Sequence, residues 1–278
     1  MPGRVEGKVA FITGVARGQG RSHAVRLAEE GADIIGIDVL DDMPTVPYGG
    51  GTAADLEETA RLVEATGRRF IASKADVRDY AQIKDAVDVG VAELGRLDIV
   101  VANAGILSRP MMLTEMDEEE WGITIDVNLS GVYRTCRAAI PHIVDGERGG
   151  SIVITSSSAG LKGFPRYAQY TAAKHGLVGL MKSLALQLAE KSIRVNTLHP
   201  LNVSTPMIHN DELYRHFVPD VPNPTREQFA AAASHMAALP ISWVEPEDVS
   251  NLVVFLASEE GRFITGVSMP IDGGQVIK

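Results

Sequence analysis

Short runs of apolar and β-branched residues alternate along the chain with longer stretches of helical periodicity. The short runs have the length and composition of buried strands, and they lie at 9–14, 32–38, 68–77, 97–105, 150–158, 192–200 and 266–274. The longer stretches indicate amphipathic helices, the clearest at 21–30, 53–66, 81–94, 168–191 and 246–257. Repetition of strand and helix requires right-handed crossovers between parallel strands. The pattern predicts one α/β domain, 1–278, with helices on both faces of a doubly wound, mostly parallel sheet of about seven strands.

Two segments interrupt this alternation. Residues 39–53 separate the second strand from its helix and contain two prolines and three glycines, so the connection is longer than an ordinary βα loop. Residues 201–245 are proline-rich and contain one amphipathic stretch. Ligands of open α/β sheets bind beyond the carboxyl ends of the strands. We therefore expect 39–53 to cover a cofactor and 201–245 to form a lid on the substrate side.

Composition and charge exclude several other classes of function. The net charge of -10 has no basic block to offset it, which argues against a nucleic-acid or anionic-membrane partner. The one cysteine, Cys136, excludes an intrachain disulfide and a multi-thiolate metal site. The histidines lack paired spacing with a carboxylate, so no metal is expected. The first apolar run is too short for a signal peptide or a membrane span, and a cytoplasmic location is expected.

The first strand leads directly into a glycine-rich stretch, TGVARGQG, which spans residues 13–20. Gly14, Gly18 and Gly20 allow the backbone to turn sharply and to approach a pyrophosphate, whose charge would face the free N–H groups of the next helix. A tight strand-to-helix turn needs glycines in any case. By itself this motif is weak evidence for a dinucleotide.

Asp38, at the end of the second strand, indicates which dinucleotide would bind. A carboxylate there can accept hydrogen bonds from the ribose hydroxyls of an adenosine, whereas a 2′-phosphate would meet a like charge. Arg17 is the opposing signal, since a guanidinium could hold that phosphate, but Val39 and Leu40 supply no second cation. The sequence favours NAD over NADP.

Two further strands end in short polar or small motifs. Asp76 and Val77 follow the third run, and Asn103, Ala104 and Gly105 follow the fourth. Either motif could merely terminate its strand. Their shared position, just beyond a parallel strand, favours a role in ligand binding.

Four residues farther along suggest proton-transfer chemistry. Asn128, Ser157, Tyr170 and Lys174 occur in that order, and Tyr170 and Lys174 are one helical turn apart. An ammonium about 5 Å from a phenol favours the phenolate by about 3 kcal/mol at an effective dielectric of about 20; a bound nicotinamide cation would add to this effect, and burial would oppose it. We expect Tyr170 to act as a base at a pH of about 7 to 8. Tyr167 would pack in the wall of the site or contact substrate.

These motifs together resemble the short-chain dehydrogenase/reductase superfamily. Its glycine loop, its NAG turn, and its serine thirteen residues before a YxxxK pair all occur here with the same spacing. The resemblance implies a Rossmann fold, and it implies that Asn128 holds a water connecting Lys174 to solvent. Leu201 replaces a glycine that usually follows Pro200. The cofactor-binding residues it implies are Gly14, Arg17, Gly18, Gln19, Gly20, Asp38, Val39, Asp76, Val77, Asn103, Ala104, Gly105, Tyr170, Lys174, Pro200, Val203 and Thr205.

A narrower resemblance is to the mycofactocin-coupled branch of this superfamily, which includes carveol dehydrogenase-like enzymes. GQGRSHA at 18–24, the insertion at 39–53 and HPLNVSTPMI at 199–208 carry it. In that branch NAD is thought to stay bound and to be reoxidised in place by mycofactocin. The insertion could fold over the adenosine half and slow dissociation of NAD.

The expected reaction is the reversible oxidation of a hydrophobic secondary alcohol to its ketone. Leu107, Met111, Met112 and Phe164, together with 201–245, are expected to line a mainly apolar pocket. The alternatives are an ordinary ketoreductase that exchanges NAD(P) with the pool, and a non-catalytic nucleotide-sensing or scaffold protein on the same fold. The resemblance also implies a homo-oligomer, with a tetramer expected.

Overall fold

Each predicted apolar run contains a strand in the computed structural model, which describes residues 3–278. The strands are β1 (Val9–Thr13), β2 (Asp33–Asp38), β3 (Phe70–Lys74), β4 (Ile99–Ala102), β5 (Gly150–Thr155), β6 (Ile193–Pro200) and β7 (Ser268–Ile271). Neighbouring strands all pair in parallel, in the order β3-β2-β1-β4-β5-β6-β7. The predicted doubly wound sheet is confirmed. Its order reverses between β1 and β4, which is where ligands bind in such folds.

Helices cover both faces of this sheet and bury the strands completely at its centre. The α-helices of residues 3–278 are α1 (Gly18–Glu29), α2 (Ala53–Glu64), α3 (Tyr80–Leu94), α4 (Glu118–Ile125), α5 (Gly131–Asp145), α6 (Ala168–Leu188), α7 (Asp211–Phe217), α8 (Arg226–Ala233) and α9 (Pro246–Ala257). Helices α1 and α9 enclose one hydrophobic core, and α3, α5 and α6 enclose the other. Within the described residues, no helix combines the length and the apolar character that a bilayer crossing requires.

The strands are shorter than the apolar runs that predicted them, and the difference matters for the site. The third run, 68–77, forms a strand only as far as Lys74, and the fourth, 97–105, only as far as Ala102. The residues beyond these points leave the sheet at its carboxyl edge. Helices α4, α5 and α7 were not among the predicted stretches, and Pro141 inside α5 weakens its helical pattern.

Residues 201–245 leave the sheet and return to nearly the same place. Val203 and Val244 form an isolated parallel bridge, and the N–H of Ser204 donates to the carbonyl of Val244 at 3.0 Å. Between these ends, α7 and α8 pack through aromatic rings, with Phe229 fully buried between Tyr214 and Trp243. The segment is therefore closed at its base and has a small hydrophobic core of its own.

Candidate active site

Two adjoining cavities lie at the carboxyl edge of the sheet. The first, called here the glycine-loop cavity, is lined by Gly14, Arg17, Gly18, Gln19, Gly20, Asp38, Val39, Asp76, Val77, Asn103, Ala104, Gly105 and Thr205, with part of the insertion. The second, the tyrosine cavity, is lined by Asn128, Ser157, Tyr170, Lys174, Pro200 and Val203, among others. Gln19, Asn103, Gly105, Thr205 and Met207 line both cavities. The fold thus brings all the predicted catalytic and cofactor-binding residues together around two cavities that share part of their walls.

The glycine loop fits a pyrophosphate because glycines are sterically required in it. Gly14 and Gly18 have φ of +71° and +56°, a region that side chains other than glycine rarely adopt. A Cβ on Gly20 would lie 1.9 Å from the carbonyl oxygen of Gly14. Arg17 precedes α1 without a side-chain cap, so the first N–H groups of that helix remain available for an anion.

Asp38 and Arg17 are placed as binding of an unphosphorylated ribose requires. The Asp38 carboxylate accepts from the N–H of Ala16 at 3.0 Å and from the N–H of Leu40 at 3.2 Å. Among the described residues it forms no ion pair, and its negative charge would repel a phosphate at this position. The Arg17 guanidinium donates to the carbonyl of Gly49 in the insertion. Arg17, the one signal in the sequence for NADP, is thus already hydrogen-bonded to the insertion.

Asp76 and Asn103 also have structural roles at the strand ends. Burial acts to raise the pKa of the Asp76 carboxyl, but an ion pair with Arg78 at 2.6 Å outweighs it and lowers that pKa. The Asn103 amide donates to the carbonyl of Thr13 at 3.0 Å, which ties the end of β4 to the end of β1. Both interpretations of these motifs, strand termination and a place at the cavity, therefore hold.

Tyr170 and Lys174 lie side by side, as their spacing on α6 predicts. The Lys174 Nζ is 5.4 Å from the centroid of the Tyr170 ring and donates to the carbonyl of Thr155 at 2.9 Å. Desolvation raises the pKa of Tyr170 to about 12, while the Ser157 hydroxyl acts in the opposite direction. Burial lowers the pKa of Lys174 to about 7.

The protein's own groups do not give Tyr170 a near-neutral pKa by themselves, and its ionisation with a bound nicotinamide cation stays a prediction. The phenol and the ammonium are close, as their spacing in the sequence requires. However, loss of hydration dominates for both groups. A lysine with a pKa of about 7 is only partly protonated at neutral pH, so less positive charge stands beside the phenol.

Asn128 is fully buried in a π-helical turn, 126–130, that joins α4 to α5. Its amide accepts from the N–H of Ile106 at 3.1 Å and donates to the carbonyls of Ile106 and Thr124, both at 3.0 Å. A Cβ on Gly105 would lie 2.8 Å from the Asn128 Oδ1 and 3.5 Å from the Lys174 Nζ. The side chain therefore fixes the segment after β4 close to Lys174. Such π-turns are frequent at functional sites.

Comparison with known proteins agrees with this geometry. A family model described as enoyl-(acyl carrier protein) reductase matches residues 14–275. The (-)-trans-carveol dehydrogenase of Rhodococcus erythropolis is 56% identical over 275 residues, which cover 99% of each chain. This chain belongs to the short-chain dehydrogenase/reductase family. The prediction of an enzyme is confirmed, and a non-catalytic scaffold protein is not supported.

Solved structures of the short-chain dehydrogenase/reductase family superimpose closely on this chain. The carveol dehydrogenase of Mycobacterium avium, in complex with NAD, is 51% identical with a TM-score of 0.98, over 99% of this chain and 100% of that one. A short-chain dehydrogenase of Mycobacterium paratuberculosis, bound to NAD, is 43% identical with a TM-score of 0.90 over the same shares. These likenesses confirm the Rossmann fold.

The wall of the tyrosine cavity differs in part from the prediction. Leu107 and Phe164 line it, as expected, but Met111 and Met112 do not. The N–H of Met111 donates to the carbonyl of Arg166 at 3.0 Å, and Met112 is 49% exposed. Leu201 replaces the family's glycine without strain, because it is not among the residues with positive φ.

Tyr48, a residue of the insertion, was not predicted as part of the site. It lines the glycine-loop cavity, and its hydroxyl oxygen accepts from the N–H of Leu107 at 3.1 Å. Leu107 itself lines the tyrosine cavity. The only signal in the sequence was one aromatic residue among prolines and glycines, which does not distinguish a ligand-facing side chain from a surface one.

The burial of Lys174 predicts a pH-dependent contribution to stability. Its pKa is lowered to about 7 in the folded chain and returns to about 10.4 in the unfolded chain. Between these values the folded state binds fewer protons, so this group's contribution to stability rises with pH. We expect the thermal midpoint of the wild type, relative to Lys174→Met, to increase between about pH 7 and pH 9. A constant difference over this range would mean that Lys174 keeps an ordinary pKa.

Proposed function

We propose that this chain catalyses the NAD-dependent interconversion of a hydrophobic secondary alcohol and its ketone. The observation that supports this most strongly is that Tyr170, Lys174 and Ser157 line a cavity that shares five lining residues with the glycine-loop cavity. Two structural relatives contain NAD, and a relative of similar length is named for the oxidation of carveol. The residues around the glycine loop fit the same cofactor here.

Each residue of the site has a separate task in this reaction. NAD, when bound, supplies the carbon that accepts the hydride. Tyr170 takes the proton of the substrate hydroxyl, and Ser157 donates a hydrogen bond to the substrate oxygen. Lys174, when protonated, stabilises the phenolate through space by about 3 kcal/mol at about 5 Å. The loop with Gly14 and Gly20 holds the pyrophosphate, and Asp38 holds the adenosine ribose.

The remaining family roles are part of the same proposal. Val203 and Thr205 would contact the nicotinamide carboxamide, and the segment 201–245 would close over the substrate. Asn128 would hold a water near Lys174 through its main chain, since its amide is already engaged with Ile106 and Thr124. We further propose that the enzyme acts in the cytoplasm as a homotetramer.

Turnover of a panel of cyclic and terpenoid secondary alcohols tests the function. Each alcohol is incubated with NAD, with NADP, and with NAD plus an artificial electron acceptor. We expect oxidation of at least one alcohol, with NADP used about 10-fold less efficiently because of like-charge repulsion at Asp38. If no alcohol or ketone is converted in any arm, the proposed reaction is wrong.

We also propose that NAD stays bound between turnovers and is reoxidised in place by mycofactocin. The insertion contacts the protein on both sides of the glycine-loop cavity, which supports this. Gly49 accepts from Arg17 on the loop, and the hydroxyl of Thr45 lies 3.4 Å from that of Ser108. The ordinary alternative is exchange with free NAD, which would show as steady turnover without the artificial acceptor.

Removing the Tyr48 hydroxyl tests whether the insertion retains NAD. Tyr48→Phe leaves the partly buried N–H of Leu107 without its acceptor, a loss of about 1 kcal/mol or about 5-fold. We expect NAD to dissociate from the variant at least about 5-fold faster, measured as release from the purified holoenzyme during gel filtration. Tyr133→Phe, at an exposed position on α5, is the matched control. Equal release from all three proteins would mean that the insertion does not restrain the cofactor.

A further inference from the structure

Tyr167 has a polar group that the proposed reaction does not use. It lies immediately before α6, three residues from Tyr170, and is 9% exposed. Its ring packs against Ile208 and Phe229 and meets His216 edge-to-face at 5.6 Å. Its hydroxyl is shielded from solvent and has no hydrogen-bond partner among the described residues. A phenylalanine would pack equally well without burying an unpaired hydroxyl.

Gln275, near the C-terminal end of the chain, is a second residue of this kind. It is 2% exposed, and its Oε1 also lacks a hydrogen-bond partner among residues 3–278. Its main chain is held in place, since its N–H donates to Asp272 at 3.1 Å and its carbonyl accepts from the Lys162 Nζ at 3.3 Å. Tyr167 and Gln275 both line the tyrosine cavity.

The two groups differ from the rest of the wall around them. Leu107, Phe164, Met207, Ile208, Phe217 and Met236 make that wall largely apolar. Ser157 and Tyr170 already serve the reacting oxygen in the proposed function, so the Tyr167 hydroxyl and the Gln275 amide oxygen are a spare donor and a spare acceptor. Buried polar groups in a binding site normally find their partners on the ligand.

We infer that Tyr167 and Gln275 orient a substrate that carries a second oxygen, away from the carbon that is oxidised. This inference rests on the proposed function and narrows its substrate class. A hydroxyl on a cyclic or polycyclic alcohol can serve either group, because it can accept from Tyr167 or donate to Gln275. An ether or carbonyl oxygen satisfies Tyr167 alone. A purely hydrocarbon substituent leaves both groups unpaired and is selected against.

Matched substrate pairs test this preference as a ratio within each protein. Cyclohexane-1,3-diol and 1,4-diol are compared with 3- and 4-methylcyclohexanol, and the methoxycyclohexanols with the ethylcyclohexanols. We expect the wild type to favour at least one oxygenated member about 10-fold or more in kcat/KM, and Tyr167→Phe to lose that preference. Tyr214→Phe is the control, because the Tyr214 hydroxyl is bonded to His209 at 3.1 Å in the same aromatic cluster. The inference is overturned if the wild type shows no preference in any pair, or if Tyr167→Phe keeps it.

Thermal unfolding gives a second measurement that does not depend on turnover. Without ligand, Tyr167→Phe should unfold at the same temperature as the wild type or higher, whereas Tyr214→Phe should unfold lower. A 4-hydroxycyclohexanone should raise the midpoint of the wild type, loaded with NADH, more than that of Tyr167→Phe. A drop in the ligand-free midpoint of Tyr167→Phe would show that the hydroxyl serves the fold and would overturn the inference. If no alcohol is oxidised, the proposed function fails, and the ligand-induced shift still decides the role of Tyr167.

Discussion

Replacing Tyr170 by phenylalanine is expected to lower kcat for alcohol oxidation by about 10³-fold, or about 4 kcal/mol. In the proposed reaction the phenol takes the hydroxyl proton, and it lies in the tyrosine cavity beside Lys174, whose Nζ is 5.4 Å from the centroid of its ring. Phenylalanine keeps the ring and its packing, so the fold and the glycine-loop cavity remain. Steady-state kinetics on the best alcohol of the panel, with NAD titrated separately, measures the change.

Two further measurements separate lost chemistry from a damaged site. The Kd for NAD should change by less than about 3-fold in Tyr170→Phe. Loss of one interaction of about 1 kcal/mol with NAD would raise the Kd by about 5-fold, so a smaller change means that cofactor binding is intact. Tyr133→Phe, exposed on α5, should retain the activity of the wild type. Turnover by Tyr170→Phe at the wild-type rate would assign proton transfer to another group.

The raised pKa of Tyr170 shows what residue spacing can and cannot predict. The four-residue interval places Tyr170 and Lys174 on one helix face, because residues four apart are separated by about one helical turn. Their hydration depends on which segments cover α6, and those come from residues far away in the chain, such as Leu107 and Phe217. Burial of this kind leaves no local signal, and it reverses the direction of the expected shift. For the phenol to ionise near neutral pH, positive charge must reach the cavity from beyond the pair itself.

In the fold, too, local features were predictable from the sequence and tertiary contacts were not. The strand runs were predictable because strands covered on both faces have a mainly apolar centre, VAFI in β1 and IIGI in β2. Their ends were not, since a residue such as Ala75 stays buried after it leaves the sheet. The π-turn places Asn128 in a hydrogen bond with the N–H of Ile106, a contact that no periodicity reveals. Sequence motifs located the site, and tertiary contacts decided its finer geometry.

The position of the insertion was predictable from the sequence, but the contacts of its side chains were not. Its length and its place after β2 indicated a segment near the cofactor. The contact from Tyr48 to Leu107 links that segment to the tyrosine cavity, so the two cavities share a wall on this side. A loop of prolines and glycines has no periodic pattern from which the direction of one side chain could be derived.

Substitution of Gly20 by alanine is expected to abolish useful binding of NAD and to destabilise the fold. The new Cβ would lie 1.9 Å from the Gly14 carbonyl oxygen and 3.0 Å from the Val15 Cα, and neither main-chain atom can move aside cheaply. The loop between β1 and α1 must shift, and its N–H groups then no longer converge on a pyrophosphate. We expect the Kd for NAD to rise by about 100-fold or more and the free energy of unfolding to fall by about 3 kcal/mol.

Gly122→Ala is the matched control for this effect, because Gly122 lies in α4 and a methyl group added there would meet no atom within 4 Å. It should bind NAD as the wild type does and gain about 0.5–1 kcal/mol of stability, since alanine is the better helix former. Calorimetric titration with NAD and urea unfolding measure both quantities. If Gly20→Ala bound NAD with wild-type affinity, the glycine loop would not be the pyrophosphate site, and the proposal of an NAD-dependent reaction at this edge of the sheet would lose its structural basis.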